Sequence, residues 1–169
     1  MFQFNNKTIK QYINKCRGMT LIEVLAVVAI ILILTAAVVI NPRPSVDLDR
    51  AARQLASDLR RAQNMAMSAE EYSGSVPYGY GIYFNINNKD EYILFADNDG
   101  GGTWSGVGET VETISLEKGV TISNGSSFNV FFEIPYGAIT MPSDPFNIGL
   151  QLSSDTRTVT VTSAGKIEL

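Results

Sequence analysis

Residues 18–40 read GMTLIEVLAVVAIILILTAAVVI, and this stretch decides the architecture. From Met19 to Ile40 it is apolar except for Thr20, Glu23 and Thr35. As a helix those 22 residues reach ~33 Å, at ~1.5 Å per residue. A bilayer's hydrocarbon core is ~30 Å thick, so the pattern predicts a membrane-spanning helix over 19–40. Residues 1–18, MFQFNNKTIKQYINKCRG, are polar and carry Lys7, Lys10, Lys15 and Arg17, the only charges before Glu23. Basic residues on the leading side hold that end in the cytoplasm and place everything after Ile40 outside it. Pro42 and Pro44 follow at once and disfavour a straight continuation, so a kink or short break is expected there.

Glu23 sorts the readings of this segment. A secretory signal peptide also has a basic start and an apolar run, and Thr35-Ala36-Ala37 is a passable small-residue cleavage site. A plain signal-anchor helix fits as well. Both would avoid a carboxylate just inside the apolar region, which costs up to ~3 kcal/mol even on the gentler scales. The remaining reading gives Glu23 a partner; against it stands the plain alternative that Glu23 snorkels to the interface.

The run Gly18-Met19-Thr20-Leu21-Ile22-Glu23-Val24, behind a basic leader and ahead of a long apolar helix, resembles the processing site of type IV prepilins and pseudopilins. Met19 stands where Phe is commonest, and the leader is on the long side. The resemblance implies cleavage after Gly18 by prepilin peptidase on the cytoplasmic face, and methylation of the new amine on Met19. That amine lies four residues before Glu23, and opposite charges in low dielectric attract strongly. In the family the pairing is read as intermolecular, between this Glu and the amine of a neighbouring subunit. An intramolecular contact is also geometrically open.

Outward from this segment, the chain has 169 residues, which suits one globular domain and an appendage. A domain of roughly 125 residues buries a core without disulfides or metals. Net charge is -4, but with the four leader cations set aside, 9 basic residues face 17 acidic ones, a net of -8. Such a body repels phosphate backbones and argues against nucleic acid as a partner. There is no His, and the single Cys is Cys16. Histidine zinc sites, Ser-His and Cys-His nucleophile pairs and disulfides are thereby removed.

Over 45–71, Leu48, Leu55, Leu59, Ala62 and Ala66 form one apolar stripe, with Asp47 and Asp49 at the start, predicting an amphipathic helix. Arg50, Arg53, Arg60 and Arg61 fall on the other side, where solvation and pairing with Asp58 and other acids is the plain reading and a contact with another subunit or a polyanion is the alternative. Small residues in and beside the stripe (Ala51, Ala52, Ala56, Ala69) allow a sheet to pack closely. From residue 79 onward, short runs rich in Val, Ile, Thr, Tyr and Phe predict strands at 79–86, 92–96, 110–116, 120–123, 128–134, 138–141, 148–153 and 156–162. TRTVTVT at 156–162 alternates strictly and predicts one buried face. The expected fold class is α+β: a long N-terminal helix, half transmembrane and half amphipathic, packed on an antiparallel two-sheet β domain. Its parts are a leader at 1–18, the membrane or filament-core helix at 19–40, the amphipathic helix at 45–71 and the β-rich domain at 72–169.

The stretches AARQLASDLRRAQNMAMSAE (51–70), GYGIYF (79–84), YILFADNDGGGTWSGVGET (92–110) and TVTVTSAGKI (158–167) resemble the GspH/FimT minor pilins. This implies a structural subunit that helps to initiate or cap a type IV pilus or a type II secretion pseudopilus. The partners implied are prepilin peptidase, other pilin subunits, the inner-membrane assembly platform and lipid. The chain would sit first in the cytoplasmic membrane, its C-terminal domain outside the cytoplasm, and then in a filament or its tip. The alternative function is a tip module that binds a surface or DNA. Some DNA-uptake relatives use arginines near the C-terminus; here the matching stretch offers Lys166 beside Glu168. Asp97-Asn98-Asp99-Gly100 resembles the start of a calcium loop, but Gly101 stands where a third oxygen is expected and Glu109 falls one residue late. Asp97, Asp99 and Glu109 are therefore weak metal candidates against a plain polar turn, and no cofactor is expected. Trp104, in the same loop, either serves as a contact or folds back onto the sheet. No catalytic constellation is present, and the chain reads as a non-enzyme.

Overall fold

The leucine and alanine stripe is where the core begins. The computed structural model describes the backbone of residues 19–40, 44–117 and 119–169, with side chains from 19–36, 46–117 and 119–169. The expected leader at 1–18, Gly18 included, lies outside the described residues. Leu48, Leu55, Leu59, Ala62 and Ala66 are fully buried on helix α2 (Pro44–Met67), as are Ala51 and Ala56. Proline in the first helical position loses no hydrogen bond, and Asp47 in the first turn faces the positive end of the helix dipole. The helix ends four residues earlier than expected. Ala69 turns left-handed (φ 47°), its N–H donates to the Ala66 carbonyl at 3.1 Å, and the Glu70 N–H donates to Met65 at 3.1 Å. This is a Schellman closure with alanine where glycine is usual.

Among the described residues nine strands follow: β1 (Gly79–Asn85), β2 (Asn88–Asp97), β3 (Thr110–Ser115), β4 (Thr121–Ile122), β5 (Phe128–Glu133), β6 (Ala138–Thr140), β7 (Phe146–Leu152), β8 (Asp155–Val161) and β9 (Ile167–Glu168). They make a five-stranded sheet, β3-β2-β1-β5-β6, and a four-stranded sheet, β4-β7-β8-β9. All the pairings are antiparallel. Helix α2 packs on β1 and β5 of the first sheet and on β7, β8 and β9 of the second. The α+β, two-sheet expectation is met. Short β9 escaped the reading because two residues carry no period.

The first sheet buries both its faces in places. On the side toward α2, Tyr80, Ile82, Phe84, Leu94, Val130 and Phe132 join the main core. On the outer side, register places Gly79 between Asp97 and Glu133, and Gly81 between Phe95 and Phe131. A Cβ on Gly81 would sit 2.7 Å from the Phe95 ring, and one on Gly79 would sit 2.3 Å from the Phe131 ring. The two rings lean into the trough that the glycines leave and stack with centroids 6.2 Å apart. Phe95 is fully buried there although it faces away from the helix.

Three buried or half-buried tyrosines fasten the helix and the segment after it to the sheet through their polar tips. The Tyr92 hydroxyl donates to Asp58 at 2.6 Å, Tyr80 to the Glu70 carbonyl at 2.8 Å, and Tyr72 to the Thr110 carbonyl at 2.8 Å. Burial first, then the Asp58 bond, raises the Tyr92 pKa well above the usual phenol value. Burial and the Glu70 charge push Tyr80 up to about 12.

Met1–Pro42 forms a separate unit. Its helix α1 (Leu21–Ile40) has 20 residues, or about 30 Å of backbone. Among the described residues, however, no helix is long and apolar enough to cross a membrane. Within the expected 19–40 span, the side chains from 21 to 36 are all exposed. The long helix expected in two parts, with a break near Pro42 and Pro44, is two helices, Leu21–Ile40 and Pro44–Met67, in two units.

Candidate functional site

Thr20 starts α1. Its carbonyl accepts the N–H of Glu23 at 3.0 Å and of Val24 at 3.1 Å, and its hydroxyl accepts the Glu23 N–H at 3.4 Å. Thr20-Leu21-Ile22-Glu23 therefore has the spacing of a capping box, with Glu23 in the first turn facing the helix dipole's positive end. That role was present in the letters T-x-x-E, and a reading centred on charge pairing passed over it. Met19 is 62% exposed beside it. The described apolar side chains that follow, Leu21 and Ile22 among them, are exposed.

The second candidate is the loop between β2 and β3. A single 3₁₀ turn, Val107–Glu109, swings Glu109 back beneath the loop's start. It thereby reaches Asp97 and Asp99, and carboxylate oxygens of the three lie within 4.8 Å of one another. The sequence count that placed Glu109 one residue late did not foresee this turn. Asp97 is 1% exposed and Glu109 5%. Every oxygen of these two carboxylates is already engaged. Asp97 accepts the N–H groups of Gly100 and Gly102, both at 2.8 Å. Glu109 accepts those of Asn98 at 3.1 Å and Ser105 at 2.8 Å. Asp99 accepts the Gly101 N–H at 2.8 Å, and this bond, then Ser105, holds its carboxyl below the usual value. The arrangement is a loop closed on its own amides, which answers the burial of two charges without an ion.

Trp104 folds back. Its indole N–H donates to the Thr110 hydroxyl at 3.0 Å, and its ring lies 5.1 Å from Tyr83. The arginine face of α2 is largely engaged within the domain. Arg50 meets Glu117 at 3.3 Å, Arg61 meets Glu112 at 2.6 Å, and Arg60 donates to the Ile167 carbonyl at 2.8 Å. Asp58, expected to pair with these arginines, takes the Tyr92 hydroxyl instead, because it leans toward the sheet. Asp49 likewise pairs with Arg157 of β8 at 2.6 Å. Lys166 is held by Glu168 at 2.5 Å.

No curated protein and no solved structure gives a significant match to the chain. Residues 13–39 match the family described as the prokaryotic N-terminal methylation motif. The chain therefore carries the prepilin signal of type IV pilins and pseudopilins, and its N-terminus is pilin-like.

Proposed function

We propose that this chain is a minor pilin or pseudopilin of the GspH/FimT kind, a structural subunit that helps to initiate or cap a filament. Prepilin peptidase cleaves after Gly18 and the new Met19 amine is methylated. Residues 19–40 anchor the chain in the cytoplasmic membrane before assembly, with the β domain outside. Glu23 then neutralises the amine of Met19, in a neighbouring subunit or its own. The observation that carries this reading is the methylation motif on a helix whose apolar side chains are exposed all round, with one carboxylate in its first turn. An exposed apolar surface of this kind needs lipid or other such helices to cover it.

Mass spectrometry of the mature protein tests the reading. The expected N-terminus is a methylated Met19. A start at Val38, after Thr35-Ala36-Ala37, would sink it and restore the secretory alternative. A deletion strain separates structural from binding roles: loss of filaments supports the structural subunit. DNA is a poor fit to the tip role here, since three of the four α2 arginines and Lys166 are bonded within the domain.

A further inference from the structure

The outer face of the five-stranded sheet holds a cavity of about 350 Å³ beside the β2–β3 loop. Its volume falls in the range of small-molecule sites. Register explains why it is there. On this face the central strand β1 presents Gly79 and Gly81, so no side chain rises from that strand until Tyr83. The Phe131 ring fills the lower part of that trough, and the loop Gly100–Thr103 forms one wall. Tyr78, 62% exposed, stands over Gly100, with three ring atoms 3.5 Å from where a Cβ would be. Asn129, Glu133, Thr103 and Thr140 supply the polar rim.

Two properties of this lining define what fits. First, it combines an aromatic floor and wall with hydrogen-bonding groups that have spare capacity. The side chains of Glu133, Thr103 and Thr140 make no hydrogen bond within the described residues. Asn129 donates to the Gly102 carbonyl at 2.7 Å, which leaves its amide oxygen to accept. Second, no Lys or Arg lines the cavity, while Asp97 and Glu133 do. Anions are therefore repelled. Asp97 itself is held by two amides at the base and is not the contact group.

A pyranose ring matches both properties. Its C–H-bearing face is apolar and lies on an aromatic ring, whose π face is negative. Its hydroxyls donate to carboxylate and amide oxygens and accept from threonine hydroxyls. We propose that this cavity binds a non-acidic saccharide, with Tyr78 as the stacking platform and Glu133 and Asn129 as hydrogen-bond partners. This goes beyond filament assembly and stands whether or not the chain enters a filament.

The test uses the full chain in a zwitterionic detergent, because the head group of an alkyl glycoside is itself a sugar. Trp104, the only tryptophan in the chain, sits in the adjoining loop and reports by fluorescence. Saturation-transfer NMR reports from the ligand side. The probes are chitotriose and cellotriose, with sialyllactose as the acidic sugar and a lysine-rich peptide as the cationic competitor. The expected result is saturable binding of at least one neutral trisaccharide below ~10 mM, and none of sialyllactose. Tyr78→Ala and Glu133→Gln should each weaken that binding at least about tenfold. Both side chains are exposed, so the melting temperature of the variants should stay near that of the parent. No saturable signal with either neutral sugar overturns the proposal, as does unchanged affinity in both variants. Saturation by the lysine-rich peptide alone overturns it in favour of a docking site for a basic side chain.

Discussion

At the residue scale, Glu23 stands third in the helix, its N–H meeting the Thr20 hydroxyl at 3.4 Å, and it is the only carboxylate in the apolar segment. Two substitutions separate these two features. Glu23→Gln keeps a side chain able to bond the helix start, and Glu23→Leu does not. Both remove the charge. Filament or tip assembly, followed by immunoblot of sheared filaments, should fail in both, while membrane insertion is kept or improved. Normal assembly of Glu23→Gln would show that the helix start, not charge neutralisation, is what the segment needs. Ala69 makes a second residue-level prediction. It holds a left-handed conformation that costs an L-residue roughly 1–2 kcal/mol and glycine almost nothing. Glycine gives part of that back through the freedom of the unfolded chain. Ala69→Gly should therefore stabilise the domain by about 0.5–1 kcal/mol, seen as a rise of a few degrees in the thermal midpoint.

At the element scale, the informative contrast is between α2 and the β2–β3 loop. The stripe Leu48, Leu55, Leu59, Ala62 and Ala66 was legible because a helix on a sheet imposes its period on the letters, and all five are buried. TRTVTVT was legible for the same reason, with Val159 and Val161 in the core. The outer face of the first sheet was not. Phe95 and Phe131 are buried by a loop and by two missing side chains at Gly79 and Gly81, and neither cover has a period to read. The loop's own logic was equally hidden, since only the 3₁₀ turn brings Glu109 under Asp97. Its four buried oxygens each hold an N–H, so a cation would have to displace or share bonds already made. The thermal midpoint of the full chain should be the same in millimolar calcium and in chelator. A rise of several degrees would mean tight binding at Asp97, Asp99 and Glu109.

At the scale of the whole molecule, stability should follow the buried phenols at high pH. Tyr80 and Tyr92 titrate above the ~10 of an unfolded chain. Their contribution is complete below pH ~10 and is lost as pH rises, through about 12 for Tyr80 and beyond for Tyr92. The folded state then binds more protons than the unfolded one, so stability falls with pH. The thermal midpoint should fall steadily above pH ~10, and Tyr92→Phe should shallow that fall. At the acid end the sign reverses. Asp99 and Asp144 have lowered values, so what they add is present above the ordinary ~4 and fades as pH drops through their folded values.

Helix α2 also settles how the β domain meets a mechanical load. It touches β1 and β5 in one sheet and β7, β8 and β9 in the other, and Tyr92 and Arg157 fasten it to both. A force applied along the axis of this helix would load those contacts in shear. The buried contacts lie side by side along that axis and share the force, as in a lap joint, rather than opening one after another like a zip. Neither sheet can let go of the helix without straining the other. Tension along the helix would thus leave the domain whole up to a single yield point.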